Sequence, residues 1–415
     1  AAFVLVYLLF LVFVGLPVLL MEFAIGRASR MNISGALRCL ERKGTKWHLF
    51  GPVAIIGNYL LMMYYTVVTG WLLFYFFSGI KGDLAGLDAA SSGTFFDSFT
   101  ADPVWQTVFT FIAIIIGFLI CMKGLLKGVE KASKFMMGCL FALIVALAVN
   151  SLLLPGASKG LSFYLIPDFS KMVDNGIFEV LYAAMGQSFF TLGLGIGSME
   201  IFGSYIGKER SLTGESVRVL SLDTFVAFFA GLIIFPASFA FGVNPDSGPS
   251  LLFVTLPSVF SQMPGGRLWG SLFFLFMSFA AMTTLIAVFE NIIAYWMDCH
   301  GWTRKKASLV NMALILILSL PCILGFNILS DVQPFGDGST ILDLEDFLVS
   351  STITPIGSAL IVLFCTSRYG WGWKGFIEEA DTGEGLKYPK KLRFYTAWIL
   401  PLLIIVIFVK GYWDK

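Results

Sequence analysis

The amino-acid sequence predicts an all-α polytopic membrane protein. Of its 415 residues, 57% are hydrophobic and only 13% are charged. Apolar runs of about 20 residues recur along the chain, and each is long enough to cross the hydrocarbon core of a bilayer as a helix. In addition, 22 of the 28 lysines and arginines are concentrated in alternate loops. A large soluble helical protein does not need this combination.

Ten apolar segments follow one another along the chain, and we expect each to form one membrane-spanning helix. Their predicted bounds are 2–25, 51–79, 104–122, 133–154, 177–205, 215–243, 268–297, 304–325, 343–366 and 394–411. The segment 247–264 is also apolar, but Pro249, Pro257 and Pro264 interrupt it. Because proline breaks a helix, we expect an extracellular or re-entrant hairpin there instead of a span.

Basic residues indicate which loops face the cytoplasm. The 22 clustered lysines and arginines lie in five loops, at residues 26–50, 123–134, 206–218, 304–306 and 367–393. Because these residue types accumulate on the cytoplasmic side of membrane proteins, the five loops are predicted to be cytoplasmic. Both ends of the chain then face outward. The chain opens AAFVLVYLLF, with neither an initiator methionine nor a basic flank, so we expect at least one span upstream of it.

Cysteine and glycosylation patterns indicate the compartment. The six cysteines all fall in predicted spans or on the cytoplasmic side, so no extracellular disulfide is expected. The sequence Asn32-Ile33-Ser34 has the form of a glycosylation acceptor but is predicted to face the cytoplasm. Both observations favour a bacterial inner membrane. The net charge of +1 does not suggest a nucleic-acid partner.

A glycine-rich stretch interrupts the predicted span 177–205. Its sequence is GQSFFTLGLGIG, with glycines at positions 193, 195 and 197. Glycine is a poor residue for a helix interior, so we expect the helix to break here. A break frees backbone groups near the bilayer centre, where they persist only if they bind something. It therefore predicts a site where backbone N–H groups attract a carboxylate and carbonyls coordinate a cation. Close helix packing through small residues is the alternative.

Hydroxyl and carboxyl groups inside spans are functional candidates by default. Thr283 and Thr284 are adjacent in the middle of a span, so their side chains point about 100° apart on a helix. One of them can then ligate a sodium ion through its hydroxyl oxygen while the other faces a substrate. Two alternatives remain for such residues: threonines that only pack, and hydroxyls bonded to their own helix.

Six sequence blocks, taken in order, resemble the neurotransmitter:sodium symporter family. They are AAFVLVY…GLPVLLMEFAIGR, LLMMYYTVVTGW, KGVEKASKFMMG, GQSFFTLGLGIGSMEIFGSY, GPSLLFVTLPSVFSQMPGG and FFLFMSFAAMTTLIAVFEN. The resemblance implies the bacterial leucine-transporter fold, an inverted-repeat helix bundle with substrate held at unwound helices. The ten spans resemble family helices two to eleven. Residues 1–415 are then one transmembrane transporter domain that is incomplete at its N-terminus, and 247–264 is its extracellular lid.

The resemblance also implies roles for individual residues. Tyr65 resembles the tyrosine that binds the substrate carboxylate, and Phe190 the aromatic lid above the substrate. Side-chain contacts to substrate would come from Leu61, Thr191, Gly193, Ile196, Thr284 and Val288. Thr191 and Asp223 resemble ligands of a first sodium ion, and Ala280, Thr283 and Thr284 ligands of a second. Glu22 would cap the broken backbone, Asp346 would belong to the outer gate, and Asp298 and Tyr205 to the inner gate.

Asp223 departs from the family pattern, which usually has asparagine there. Chloride-dependent members bind their anion near positions that read Tyr7, Gln187, Thr191 and Ala227 in this chain. A fixed carboxylate at Asp223, beside a bound cation, could balance the charge of sodium in place of chloride. We therefore expect transport that does not need chloride. A structural aspartate bonded to backbone is the alternative.

The predicted function is sodium-coupled symport of an L-amino acid into the cell by alternating access. Gly193 and Ile196 stand where members with smaller substrates have serine and phenylalanine, which favours a larger hydrophobic or aromatic amino acid. The expected partners are this amino acid, sodium ions and the lipid bilayer, and the resemblance also allows a homodimer.

A non-transporting receptor or regulatory protein on the same fold is the alternative function, since fold alone does not distinguish it from a transporter. An enzyme is not expected, because His48 and His300 lie at loop edges away from the spans.

Overall fold

The computed structural model describes residues 2–170, 172, 176–243 and 248–413. We number its main helices in chain order. They are α1 Ala2–Ser29, α2 Ile33–Leu40, α3 Trp47–Lys81, α4 Ala89–Ala101, α5 Pro103–Met122, α6 Lys127–Leu152, α7 Ala157–Leu165, α8 Ile177–Thr191, α9 Ser198–Tyr205, α10 Leu212–Ala240, α11 Leu251–Gln262, α12 Gly266–His300, α13 Arg304–Leu324, α14 Ile341–Thr366, α15 Gly372–Ala380 and α16 Lys390–Tyr412.

Nine of these helices are long and apolar enough to cross a membrane, within the residues that the structure describes. They correspond to nine of the ten predicted spans. The remaining one, 177–205, is two half-helices, α8 and α9, separated by residues 192–197. The glycine-rich stretch therefore does break its helix. Residue 247, the first of the predicted hairpin, lies outside the described residues, and the rest of that hairpin contains the short helix α11.

Wide helical turns recur immediately before prolines. Proline has no N–H, and its ring clashes with the carbonyl of the residue four positions earlier. A π turn, with i→i−5 hydrogen bonds, accommodates this defect inside a helix. Four such turns occur in this position: Leu11–Gly15 before Pro17, Leu251–Thr255 before Pro257, Phe347–Ile353 before Pro355, and Tyr395–Ile399 before Pro401.

The core consists of two apolar clusters that meet at the broken helix. One cluster is centred on α3 and α12, which pack along each other, and includes Trp71 and Phe289. The other joins α1, α8, α14 and the C-terminal helix α16. Small residues permit the closest helix contacts. At Gly70 of α3, for example, an added Cβ would lie 2.7 Å from the backbone nitrogen of Thr110 on α5.

Candidate functional site

Each of the three alternating glycines has a left-handed backbone conformation, with φ values of 61°, 82° and 75° at positions 193, 195 and 197. Residues other than glycine rarely adopt such φ values. Gly193 ends α8: its N–H donates to Phe190, and the Leu194 N–H donates to Phe189, both at 2.9 Å. This is a Schellman cap. The helix cap thus favours glycine at position 193 because of its backbone conformation, independently of the substrate pocket in which the resemblance predicted Gly193.

Gly195 adds the close packing that was the alternative explanation of the glycines. A Cβ at this position would lie 2.1 Å from the Thr354 carbonyl oxygen on α14. The stretch therefore serves both purposes, since it breaks the helix and lets the exposed backbone approach a neighbouring helix.

Glu22 lies at the break, where the resemblance predicted it. Its side chain is completely buried. One carboxylate oxygen accepts a hydrogen bond from the Gly195 N–H at 2.7 Å, and the other from the Met199 N–H at 3.3 Å. A carboxylate at the first turn of α9 also interacts favourably with the positive end of this half-helix. Glu22 therefore satisfies backbone donors that would otherwise be buried without partners.

An amide network that sequence analysis missed holds the other side of the break. Asn58 on α3 donates to the Ile196 carbonyl at 2.8 Å. Its side-chain oxygen accepts from Ser198 and from Asn291 on α12, both at 3.1 Å. Asn58, Ser198 and Asn291 are all buried. The signal was present, since both asparagines lie within predicted spans, but nothing in the sequence pairs them.

Thr191 is the centre of the predicted first sodium site. The Gln187 amide donates to its hydroxyl at 3.2 Å, and the Tyr7 hydroxyl lies within hydrogen-bonding reach of it. Asp223 approaches Tyr7 closely enough to interact electrostatically. One Asp223 oxygen, Oδ2, is buried without a hydrogen-bond partner among the described residues. Hydroxyl, amide and carboxylate oxygens are hard ligands, so this donor set fits sodium. Ala227, also predicted here, is exposed one turn further along α10.

The predicted second sodium site gathers three oxygens on α12. The Thr283 hydroxyl donates to the Ala280 carbonyl at 2.7 Å, and the Thr284 hydroxyl donates to the same carbonyl at 3.5 Å. These are the own-helix bonds that sequence analysis kept as an alternative. They use the hydroxyl protons and leave the oxygen lone pairs available, so the same geometry also fits a cation.

The predicted substrate residues surround the break from two helices. The Tyr65 hydroxyl on α3 lies within hydrogen-bonding reach of Thr284. Leu61, Val288 and Ile196 are buried nearby in one apolar cluster. Phe190, the predicted lid, lines a cavity between α8 and α14 that also contains Asp346, the predicted outer-gate acid. Asp346 accepts hydrogen bonds from Tyr64 at 2.9 Å and from Ser350 at 2.6 Å.

The two predicted inner-gate residues have different partners in this structure. The Tyr205 hydroxyl donates to Glu290 at 2.9 Å. Arg304 binds both Glu290 oxygens, at 2.7 and 2.8 Å. Asp298 instead accepts from the backbone and side-chain nitrogens of Asn32, at 2.9 and 3.0 Å. The pairing of Glu290 with Arg304 was not predicted, although Glu290 is an acid inside a predicted span and therefore needs a partner.

Arg27 connects α1 to the cytoplasmic segments. Its buried side chain bonds Glu379 on α15 at 2.6 Å and the Arg210 carbonyl at 2.8 Å, with further bonds to the carbonyls of Gly207 and Thr382. An isolated backbone bridge between Arg210 and Glu384 joins the same two segments. Arg27 thus fixes the chain that follows α9 to the segment around α15.

We expect Arg27→Leu to destabilise the protein. Breaking a buried ion pair costs about 3–5 kcal/mol, and Glu379, only 12% exposed, would keep only a contact at 4.0 Å with the exposed Lys208. The midpoint of thermal unfolding of the purified protein in detergent should fall by several degrees. Arg38→Leu is the matched control, because Arg38 is exposed on α2 and should leave the midpoint unchanged. Equal midpoints for both variants would contradict the expectation.

Comparison with known proteins matches this architecture. The sequence model of the sodium:neurotransmitter symporter family matches residues 1–93 and 98–414. The uncharacterized sodium-dependent transporter YhdH of Bacillus subtilis is 35% identical over 98% of this chain and 89% of its own length. An uncharacterized sodium-dependent transporter of Haemophilus influenzae is 31% identical over 99% of this chain and 90% of its own length. The crystal structure of MhsT in complex with L-phenylalanine superposes with a TM-score of 0.89 at 36% identity, covering 99% of this chain and 91% of that one.

Proposed function

This chain is an integral membrane protein that belongs to the sodium:neurotransmitter symporter family, and we propose that it imports a hydrophobic or aromatic L-amino acid with sodium. The observation that carries this proposal is the buried, unpartnered oxygen of Asp223, which lies near Tyr7, whose hydroxyl in turn reaches Thr191. A buried carboxylate oxygen without a hydrogen bond is costly, and a bound cation would remove that cost. Because Thr191 is the last residue of α8 at the helix break, we propose that this cation would lie beside a bound substrate carboxylate.

Each side of the break contributes to the proposed site. The last carbonyls of α8 would contribute backbone oxygens to a cation, and Thr191 and Asp223 would add side-chain oxygens. The Tyr65 hydroxyl, held beside Thr284, would donate to the substrate carboxylate. Glu22 and Asn58 keep the exposed backbone rigid, so that the site exists before the ligands arrive. Bound sodium supplies positive charge beside the substrate carboxylate.

Alternating access requires gates on both sides of the site. Phe190 and Asp346 share the cavity on the outer side, and we assign them to the outer gate. On the inner side, Tyr205, Glu290 and Arg304 form a connected group that ties α9 to α12 and α13. Opening toward the cytoplasm would require this group to separate. Ligands would shift the balance between the two states through their different affinities for them.

The apolar wall supports a large substrate. Ile196, Leu61 and Val288 belong to one buried apolar cluster, and MhsT, which is 36% identical, was solved with L-phenylalanine bound. Gly193 is a poor position at which to test pocket size, because its φ of 61° would strain any larger residue. Ile196 is buried and is not among the positive-φ residues, so it is the better choice.

We expect Ile196→Phe to shift selectivity toward smaller amino acids. The ring adds volume to a packed wall, and overpacking typically costs about 1–3 kcal/mol. The ratio of kcat/KM for phenylalanine to that for alanine should therefore fall by about tenfold or more. The measurement is competition uptake in proteoliposomes. Ile315→Phe, which is also buried but lies on α13 away from the break, is the control for general damage. An unchanged ratio in Ile196→Phe would contradict the assigned pocket.

The proposal is tested with the full-length protein in proteoliposomes. Uptake of labelled L-amino acids is followed under an inward sodium gradient, with choline replacing sodium in the control and gluconate replacing chloride. Uptake of one amino-acid group that depends on sodium and not on chloride would support the proposal. Sodium-dependent binding without uptake would instead support an amino-acid receptor on the same fold, and neither binding nor uptake would reject both.

A further inference from the structure

A second buried carboxylate lies next to Glu22 and is not used by the proposed site. Glu200 is on the first turn of α9, and both glutamates are completely buried. Both side-chain oxygens of Glu200 lack a hydrogen-bond partner among the described residues. Glu200 and Glu22 are close enough to repel each other electrostatically, and the Cys365 thiol on α14 faces both. Glu22 accepts hydrogen bonds from backbone N–H groups, whereas no hydrogen-bond donor among the described residues reaches the Glu200 carboxyl oxygens, which leaves the positive end of the short helix α9 as the one feature that favours a negative charge there.

Nearby charged groups do not neutralise Glu200. The ones on the helices packed against α9 have contacts of their own: Arg27 with Glu379, Arg30 with the carbonyls of Ser204 and Ile206, Arg304 with Glu290, and Asp298 with Asn32. Tyr205 on α9 itself also binds Glu290. Within the described part of the chain, the Glu200 carboxyl group therefore has a like charge as its main electrostatic neighbour.

The backbones of α1 and α9 pack closely around Glu200. A Cβ added at Gly26 would lie 1.9 Å from the Glu200 carbonyl oxygen and 2.9 Å from the Ser204 nitrogen. At Gly203, it would lie 2.5 Å from the Phe23 carbonyl oxygen. The described residues also contain no group of three or more His, Cys, Asp or Glu side chains that could hold a metal. A proton needs neither a ligand shell nor a cavity, and it removes the cost of burying a lone charge.

We propose that Glu200 is a proton-binding site that exchanges with the cytoplasm when α9 separates from α1. Both helices end on the predicted cytoplasmic side, α1 at Ser29 and α9 at Tyr205, so separation there admits water. The O–H bond of the carboxyl group then breaks, its electron pair stays on the carboxylate, and the proton passes to water. The bound proton stabilises the packed state. Raising the cytoplasmic pH therefore favours separation, and lowering it favours packing.

Infrared spectroscopy of the purified full-length protein tests the proton directly. Near pH 7, an exposed glutamate is ionised, whereas Glu200 should show the C=O band of a protonated carboxyl group. The difference between the wild type and Glu200→Gln should contain this band, and Glu200→Asp should move it if Glu200→Gln folds poorly. In Glu345→Gln, the control, any lost band belongs to a different carboxyl group, which is buried beside the Cys322 thiol. Absence of a protonated band attributable to Glu200 would overturn the proposal.

A transport measurement tests the functional consequence, which rests on the proposed function. Uptake is measured in proteoliposomes with the cytoplasmic face inward and the lumenal pH varied. The wild type and Glu345→Gln should respond by up to about tenfold per pH unit, the limit for one linked proton. Glu200→Gln, which cannot ionise, should lose this response, and a wild-type response in that variant would overturn the proposal. If the wild type transports nothing, the proposed function fails, and the infrared band still decides whether Glu200 holds a proton.

Discussion

Replacing Glu22 by glutamine is expected to abolish sodium-dependent uptake. The carboxylate accepts from the N–H groups of Gly195 and Met199 while completely buried. Glutamine keeps the size but directs its own N–H donors toward backbone donors, so at least one backbone N–H loses its acceptor. Each buried donor left unpaired costs about 1–3 kcal/mol, and the charge-assisted bonds that are lost are stronger than neutral ones.

The loss should appear in transport more than in folding. Residues 192–197 make the proposed ligand contacts, and a displacement of the backbone there would disorder them. We expect uptake per molecule of inserted protein to fall by about a hundredfold or more, which corresponds to roughly 2.7 kcal/mol. Glu345→Gln, a buried acid on α14, should keep most of its uptake. Glu22→Gln activity within about threefold of the wild type would show that the cap is dispensable.

Asp223→Asn is expected to weaken sodium binding, or to create a need for chloride. The side chain keeps its shape and loses its charge, so the site loses the anion that we propose balances the cation. A unit charge at about 4 Å, at an effective dielectric constant of about 20, contributes up to about 4 kcal/mol. We therefore expect the sodium concentration for half-maximal uptake to rise at least about tenfold.

Adding chloride distinguishes the two expected results for Asp223→Asn, which are weaker sodium binding and a new requirement for chloride. If chloride restores the sodium affinity of Asp223→Asn but has no effect on the wild type, the carboxylate replaces a bound anion. Ser221→Ala is the control on the same helix, since Ser221 is exposed and bonds only to the Val217 carbonyl among the described residues. Unchanged sodium affinity together with continued independence from chloride would assign Asp223 a structural role instead.

Features that depend on local sequence were predictable. Hydrophobic length identified the membrane helices, and alternating glycines identified the break at 192–197, because both effects act within one segment. The resemblance also placed Glu22 at the break. The close contact of Gly195 with the Thr354 carbonyl, however, depends on a helix about 160 residues away in the chain, and only the structure could show that packing and unwinding occur together.

Polar pairing was less predictable, because it depends on which helices become neighbours. The resemblance predicted Tyr205 and Asp298 at the inner gate, but it did not predict their hydrogen-bond partners, which are Glu290 for Tyr205 and Asn32 for Asp298. Asn58 and Asn291 lie in separate spans, and no sequence pattern links them across α3 and α12. The π turns are a local example of the same limit on prediction. The sequence shows where the prolines are, but whether a proline causes a π turn or a kink depends on the surrounding packing.

Arg27 also constrains the order of events during biosynthesis. It lies at the end of the first helix of this chain, but its partner Glu379 follows 352 residues later. At a synthesis rate of about 5–20 residues per second, roughly 20–70 s pass between the two. Throughout this interval the guanidinium lacks its ionic partner, although the Gly207 and Arg210 carbonyls are synthesised earlier, so part of it must stay hydrated at the membrane surface. The first helix therefore cannot complete its packing until the segment around α15 has been synthesised. Nascent chains that stop earlier would have an incompletely packed cytoplasmic side, which cellular quality control could recognise.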